Sequence, residues 1–369
     1  MDNGIKTKGG VRAFLDKKGI TISPKVYFVD AMSAMALGLF ASLLIGTIFA
    51  TVEKWIPDGN IFNDFFLLVS EIGNIAKSGN AIGAVIGIAI AYSLKAQPLL
   101  MFSAGAVGMF SHQYAMQFLL GESMKTVTAG PAGAFFVVLI TVEIGKLVSK
   151  ATKVDIIVTP AVTLAVGALF TMLLCPVIAY AVYWVGHFIN VTTTILPFFM
   201  GIVISVVVGI ILTLPISSAA ICSMIGITGI AGGAAVVGCC AQMVGFAVIS
   251  FRENKWGGVV AQGLGTSMLQ MGNIIKNPRI WIPATLASAI TGPISTCLFK
   301  LECSGVSAGM GTCGLVGPIG MFADMGFNST SIVGSLLLCI ILPAALSLLF
   351  SEIMRKLGWI KEGDLKLDL

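Results

Sequence analysis

The chain has 369 residues, of which 57% are hydrophobic and only 11% are charged, and its formal net charge is +5. Soluble domains contain about 25% charged residues, so this chain has too few charges to cover a surface that faces water. The composition excludes a soluble enzyme, a disulfide scaffold, a disordered protein and a nucleic-acid-binding protein. It predicts an all-α polytopic integral membrane protein.

The N-terminal segment 1–25 is basic and precedes the first apolar span. Because positively charged flanks stay on the cytoplasmic side of a membrane, we expect the N-terminus to be cytoplasmic. Within the segment, Val11, Phe14 and Leu15 share one helical face, which predicts a short amphipathic helix over 9–19 on the membrane surface; a flexible basic tail is the alternative. The basic residues of the segment are Lys6, Lys8, Arg12, Lys17, Lys18 and Lys25.

Apolar segments follow along the rest of the chain, and they predict about ten transmembrane helices, with a range of about eight to ten. The predicted spans are 27–51, 79–94, 97–119, 131–149, 157–185, 190–213, 217–250 as a broken pair, 257–275, 280–299 and 329–354. Segments 217–250 and 303–325 are rich in glycine. Non-helical backbone in a membrane is stable only where protein or a cavity covers it, so we expect re-entrant hairpins or discontinuous helices there.

The positions of the lysine and arginine clusters give the predicted topology. They place both termini on the cytoplasmic side of the membrane. We therefore expect the cytoplasmic segment 1–25, a single transmembrane domain over 26–357 with halves 26–154 and 155–357, and a short cytoplasmic tail over 358–369.

Two proline-centred motifs suggest an internal repeat: Thr213-Leu-Pro-Ile-Ser-Ser218 and Thr291-Gly-Pro-Ile-Ser-Thr296. Each precedes a glycine-rich stretch, and paired interrupted segments mark substrate sites in transporters. Alternatively, the hydroxyls only satisfy carbonyl groups that the prolines leave free. The predicted substrate ligands among these hydroxyl residues are Ser217, Ser218, Ser295 and Thr296.

Two further residues are candidate ligands. Glu302 directly precedes the second glycine-rich stretch, and a charge at mid-membrane costs about 2.5–3.5 kcal/mol, which favours a functional role; a position at the external interface is the alternative. His112 ends the third predicted span and could bind sugar hydroxyls, although an interfacial position explains it equally well. The sequence has no protease, phosphate-loop or hydrolase motif, so we predict no catalytic residue, no cofactor and no metal site.

Several stretches resemble the membrane-embedded IIC permeases of the bacterial sugar phosphotransferase system (PTS), and among them the branch of PfoR-like regulators. These stretches are 14–23, 27–42, 81–96 and Asn277-Pro-Arg-Ile-Trp-Ile-Pro283. The resemblance implies a homodimer with about ten spanning helices, re-entrant hairpins and a sugar site that includes a hairpin carboxylate, for which Glu302 is the matching position. We expect no phosphoryl-carrying domain in this chain, so phosphorylation would need separate cytoplasmic phosphocarrier proteins.

These observations together predict a permease of the IIC type, which binds a small polyhydroxylated, sugar-like solute and moves it by alternating access. One alternative is a membrane-embedded sensor or regulator that binds such a solute without transporting it. A second alternative is an ion-coupled carrier, although the scarcity of embedded carboxylates disfavours ion coupling. The expected partners are the solute, the lipid bilayer, a second copy of the chain and possible phosphocarrier proteins, without nucleic acid.

Overall fold

The structure is a computed structural model that describes residues 14–15, 18–52, 63–120, 123–214 and 217–367. Over these residues it is mostly helical, with one two-stranded hairpin. Short π-helical and 3-10 turns extend or link several helices. In chain order the elements are α1 (Met32–Leu39), α2 (Ile45–Val52), α3 (Asn63–Ala76), α4 (Gly79–Ser93), α5 (Pro98–Gln113), β1 (Ala115–Leu120), β2 (Ser123–Thr128), α6 (Gly130–Val148), α7 (Asp155–Ile195), α8 (Pro197–Thr213), α9 (Ser218–Ile225), α10 (Gly229–Ile249), α11 (Phe251–Val260), α12 (Met271–Lys276), α13 (Ile282–Ile294), α14 (Val316–Met325), α15 (Ser329–Leu336) and α16 (Leu342–Lys356).

Six helical segments of the described chain are long and apolar enough to cross a membrane. They are Lys25–Leu43, Gly130–Val148, Asp155–Ile195, Gly229–Ile249, Pro278–Phe299 and Ser329–Lys356. A seventh span results if α3 and α4 are counted as one broken span. The predicted all-α polytopic membrane fold is therefore confirmed, whereas the number of about ten spans and the re-entrant hairpins stay predictions.

The chain divides into two compact units. The first unit contains Met1–Leu39 and Ser78–Tyr180, and the second contains Phe40–Lys77 and Ala181–Leu369. The predicted halves of the transmembrane domain, 26–154 and 155–357, do not coincide with these two units, and they stay a prediction. The amphipathic helix predicted over 9–19 lies largely outside the described residues.

Helices α4 and α5 of the first unit are in close backbone contact. A Cβ atom on Gly83 would lie 2.6 Å from the carbonyl oxygen of Gly108, and Gly87 faces the backbone of Ala104 in the same way. Small residues at such an interface allow two helices to approach closely and gain van der Waals contact. The glycines of the first unit therefore explain why its short helices pack together.

The predicted span 97–119 is too long. Helix α5 ends at Gln113, and β1 then pairs antiparallel with β2, with Ala115 opposite Thr128 and Leu120 opposite Ser123. The hydropathy of residues 114–119 shows that they are largely apolar, but it does not distinguish a short strand from the end of a helix.

Helix α7 is longer than the sequence predicts. The predicted spans 157–185 and 190–213 leave a break at residues 186–189, but α7 runs without interruption over 41 residues. The break occurs at Leu196, whose φ of −124° and ψ of 61° are not helical, and Pro197 begins α8. Proline fits the first turn of a helix because its missing N–H has no helical partner there.

Helices α8, α10 and α13 form the centre of the second unit. Gly201, Ser205 and Gly209 lie at intervals of four residues on α8, so they share one face. The Oγ of Ser205 donates a hydrogen bond to the carbonyl of Ser288 at 2.8 Å, and a Cβ on Gly209 would lie 2.8 Å from the carbonyl oxygen of Gly238. The small side chains thus bring these three helices into backbone contact.

The predicted span 257–275 is wrong. It contains the end of α11, a π-helical turn at Ala261–Gly265, a 3-10 turn at Ser267–Gln270 and the short α12. Its amide side chains bind polar groups elsewhere in the second unit: Gln270 donates to the carbonyl of Leu365 at 3.0 Å, and Asn273 donates to that of Lys366 at 2.8 Å. These hydrogen bonds favour a folded-back segment over a straight helix.

Candidate functional site

Ser217 and Ser218 begin helix α9 in the second unit. The Oγ of Ser217 accepts a hydrogen bond from the backbone N–H of Ala220 at 3.2 Å, which is the usual role of serine at a helix N-cap. Ser218 is buried, and its Oγ donates a hydrogen bond to the carbonyl of Gly309 at 2.6 Å. The first proline motif therefore attaches α9 to residues 305–315, which we call the glycine-rich segment.

Ser295 and Thr296 lie in a π-helical turn that continues helix α13. Thr296 is buried, and its Oγ1 donates a hydrogen bond to the carbonyl of Pro197 at 2.7 Å. The Oγ of Ser295 is buried without a hydrogen-bond partner among the described residues. The two motif copies have different local structures, since the first precedes a new helix and the second lies within a continuous one; the internal duplication stays a prediction.

Glu302 lies in a stretch without regular secondary structure, between that turn and the glycine-rich segment. Hydrogen bonds to helix α10 and the residues before it hold the backbone that follows Glu302. The N–H of Cys303 donates to the carbonyl of Gly229 at 3.1 Å, and the N–H of Gly305 donates to that of Ile227 at 3.3 Å. The side chain of Glu302 is exposed, and its role as a substrate ligand stays a prediction.

Two glycines of α10 give this stretch the room that it needs. A Cβ atom on Gly232 would overlap the carbonyl oxygen of Cys303, and one on Gly233 would overlap that of Leu301. Because the atoms in the way belong to the backbone, no change of rotamer can relieve the overlap. The glycines of α10 therefore fix the position of the residues that lead into the glycine-rich segment.

A cavity of about 160 Å³ lies directly after this stretch, inside the second unit. Its polar lining consists of Ser304, Ser307 and Asp324, and its apolar lining includes Leu43 and Val306. The Oγ of Ser304 donates a hydrogen bond to Oδ2 of Asp324 at 2.8 Å. An engineered cavity of about 150 Å³ binds benzene, so this cavity has room for one six-membered ring. An ionised carboxylate accepts hydrogen bonds only, so a ligand beside Asp324 would have to present hydrogen-bond donors or a positive charge.

Asp324 is a residue that the sequence reasoning missed. It lies at the end of α14, in Met321-Phe-Ala-Asp-Met325, without a surrounding motif. One signal could have identified it: between Glu302 and Glu352 it is the one acidic residue of an otherwise apolar stretch.

His112 lies in the first unit, in the last turn of α5. Its Nδ1 is buried and has no hydrogen-bond partner among the described residues. A Cβ on Gly79 would lie 3.4 Å from that nitrogen. The role of His112 as a substrate ligand stays a prediction. Within the described parts of the chain, no three His, Cys, Asp or Glu side chains are grouped to hold a metal ion.

Comparison with known proteins identifies the family. The family model described as "Phosphotransferase system, EIIC" matches residues 29–367, which is most of the chain. The chain belongs to the phosphotransferase system EIIC family. The resemblance to the IIC permeases is thereby confirmed, whereas the branch of PfoR-like regulators stays a prediction. Family membership together with the apolar helices shows a multi-pass membrane protein. For an EIIC protein the family implies, in general terms, a PTS sugar permease with a sugar substrate and cytoplasmic phosphotransferase partners.

One solved structure is also similar to this EIIC protein. It is the crystal structure of the transporter ChbC, the IIC component from the N,N'-diacetylchitobiose-specific phosphotransferase system. The similarity covers 94% of this chain and 99% of that chain, with 14% sequence identity and a TM-score of 0.46. A search of curated proteins found no match.

Proposed function

We propose that this EIIC protein binds a small polyhydroxylated, sugar-like solute in the cavity beside Asp324 and moves it across the membrane by alternating access. The observation that supports this proposal is the combination of a carboxylate, two hydroxyls and an apolar wall around a space of about 160 Å³. Sugars present many hydroxyl donors together with apolar ring faces, and this lining complements both. The cavity therefore suits one sugar ring.

Each polar group of the cavity has a separate role in this proposal. Asp324 accepts hydrogen bonds from two solute hydroxyls, because only one of its oxygens is held by Ser304. Ser307 is 9% exposed and supplies a hydroxyl that can donate or accept. The side chain of Leu43 provides an apolar surface for a ring face. Glu302, close to Ser304 in the chain, is the alternative carboxylate.

The remaining parts of the proposal concern assembly and energy supply. We propose a homodimer in the bacterial cytoplasmic membrane, with both termini in the cytoplasm. Separate phosphocarrier proteins would phosphorylate the solute. During transport, the unit that contains the cavity would move as a body, since its central helices are in backbone contact and leave little room for internal rearrangement.

The test is uptake of labelled sugars and polyols into proteoliposomes that contain the purified protein, with and without phosphocarrier proteins. Solute binding is measured in parallel from the rise in melting temperature, which grows with solute concentration relative to Kd. Hydrogen bonds to a charged group contribute about 1.5–3 kcal/mol each. We therefore expect Asp324→Asn to weaken binding about tenfold or more, with uptake reduced accordingly.

The variant Glu302→Gln is the matched control, because it also neutralises one exposed carboxylate near the same stretch. Loss of binding in Asp324→Asn but not in Glu302→Gln supports the cavity as the site. The reverse result moves the site to Glu302. Binding without uptake, even with phosphocarrier proteins present, would refute transport and favour a membrane sensor.

A further inference from the structure

Four lysines surround a second cavity, which lies in the first unit and has a volume of about 220 Å³. The lysines are Lys18, Lys95, Lys146 and Lys150, and Gln97 and Ser149 complete the lining. The cavity holds several times the roughly 30 Å³ that a water molecule occupies in the liquid. Lys95 follows the end of α4, and Lys150 follows the end of α6.

The four ammonium groups differ in what they bind within the protein. Lys146 is buried, and its Nζ donates to the carbonyl of Gly19 at 3.1 Å and to the carboxylate of Glu143 at 3.2 Å. Lys18 donates to the backbone carbonyl of Ser149 at 3.0 Å. Among the described residues, the ammonium groups of Lys95 and Lys150 have neither a hydrogen-bond nor an ion-pair partner. Two cations at the cavity are therefore available for a ligand.

The carboxylates nearby do not neutralise this cluster. Glu143 is already paired with Lys146. Asp155 uses its Oδ1 to accept the backbone N–H of Lys150 at 2.7 Å and the hydroxyl of Thr159 at 2.6 Å. Asp155 also attracts Lys150 and Lys18. Among the described residues, four lysines thus face two carboxylates, which leaves an excess of positive charge.

Ser149 is an independent sign that the cavity binds a ligand. It lines the cavity and is only 6% exposed, yet its Oγ has no hydrogen-bond partner among the described residues. A buried hydroxyl without a partner is destabilising. Among the described residues, Ser149 is the one with such a group that lines this lysine-lined cavity. A ligand that accepts a hydrogen bond would satisfy this hydroxyl. The amide of Gln97 is a further donor at the same cavity.

We propose that the cavity lined by Lys18, Lys95, Gln97, Ser149 and Lys150 binds a phosphate group. Phosphate carries negative charge and accepts several hydrogen bonds at once, and lysine ammonium groups bind it as point charges. The sequence places these lysines on the cytoplasmic side of the membrane, where both soluble phosphates and anionic lipid headgroups occur. This proposal does not depend on the sugar site of the second unit.

The experiment measures the thermal unfolding midpoint of the purified full-length protein. One arm adds inorganic phosphate, with chloride at equal ionic strength as the reference. The other arm compares mixed micelles that contain phosphatidylglycerol with micelles that contain phosphatidylcholine. A midpoint that rises with inorganic phosphate identifies a soluble ligand, and one that rises only with phosphatidylglycerol identifies a lipid headgroup. No rise with either probe overturns the proposal.

Three variants connect the effect to this cavity. Lys95 and Lys150 are exposed, and an exposed ion pair contributes no more than about 1 kcal/mol. We therefore expect Lys95→Gln and Lys150→Gln each to raise the apparent Kd about two- to fivefold. Ser149→Ala should also weaken binding, but without lowering the midpoint of the unliganded protein, since its hydroxyl has no partner there. Lys276→Gln, which removes an exposed lysine of the second unit, is the control. Equal loss of response in the control and in Lys150→Gln would show a general charge effect and overturn the proposal.

Discussion

Replacing Gly232 by alanine tests whether backbone contact at α10 holds the stretch that leads to the cavity. The new Cβ would overlap the carbonyl oxygen of Cys303. Overpacking of this kind costs about 1–3 kcal/mol. If the stretch moves away, it also loses the hydrogen bonds of Cys303 and Gly305 to residues 227 and 229, each of which contributes about 0.5–1.5 kcal/mol.

The two effects add to a destabilisation of about 2–6 kcal/mol. Alanine has a higher helix propensity than glycine by about 1 kcal/mol, so the net loss is about 1–5 kcal/mol. Gly272→Ala is the matched control, because Gly272 also lies in a helix and its Cβ would meet no atom within 4 Å. The propensity gain is common to both variants, so their difference isolates the backbone contact.

The assay is thermal unfolding of the purified protein in detergent, together with solute binding at the cavity. We expect the midpoint of Gly232→Ala to fall several degrees below that of Gly272→Ala, and solute binding to weaken because Ser304 and Gly305 are displaced. Equal midpoints for the two variants would refute the reasoning, since they would show that the stretch can move away from α10 without cost.

Two further predictions concern buried polar contacts. Ser218→Ala removes a 2.6 Å hydrogen bond and leaves a buried carbonyl acceptor without its partner, so we expect a loss of about 1–3 kcal/mol, measured as a lower melting temperature. Lys146→Met leaves the carboxylate of its buried ion pair without a cation, and we expect a loss of about 3–5 kcal/mol. The matched variant Arg252→Met breaks an exposed ion pair and should cost no more than about 1 kcal/mol. Equal melting temperatures for Lys146→Met and Arg252→Met, or an unchanged one for Ser218→Ala, would contradict these assignments.

The spans that the sequence predicted well are those set by length and composition. The predicted spans 280–299 and 329–354 correspond to Pro278–Phe299 and Ser329–Lys356. In each case a long apolar run is bounded by charged or polar residues, and the thickness of a bilayer requires about 20 such residues. These local properties are enough to determine where such helices begin and end.

The span 257–275 could not be corrected from local sequence. Its course depends on hydrogen bonds from Gln270 and Asn273 to Leu365 and Lys366, which follow more than 90 residues later in the chain. A hydropathy window contains none of these partners. Segments whose amide side chains bind distant backbone are therefore the least predictable part of this fold.

None of the six predicted ligands is among the residues that line the candidate cavity, and their role in substrate binding stays a prediction. The hydroxyl of Ser218, from the proline motif, donates to the carbonyl of Gly309 in the glycine-rich segment. Asp324 and Ser304 are 20 residues apart and meet only because the chain reverses between them. Sequence spacing gives no information on that reversal, because it depends on close contacts of glycines such as Gly320 with Ser307.

The close packing of α8, α10 and α13 has a consequence for spectroscopic studies of transport. Helices that touch through glycine and serine backbone cannot slide past one another without breaking bonds such as that between Ser205 and Ser288. Spin labels on the exposed residues Val203 and Ile290, one on α8 and one on α13, should therefore keep one separation whether or not solute is bound. The distance between these two labels is then a constant reference, and the displacement of any other labelled residue can be measured relative to it.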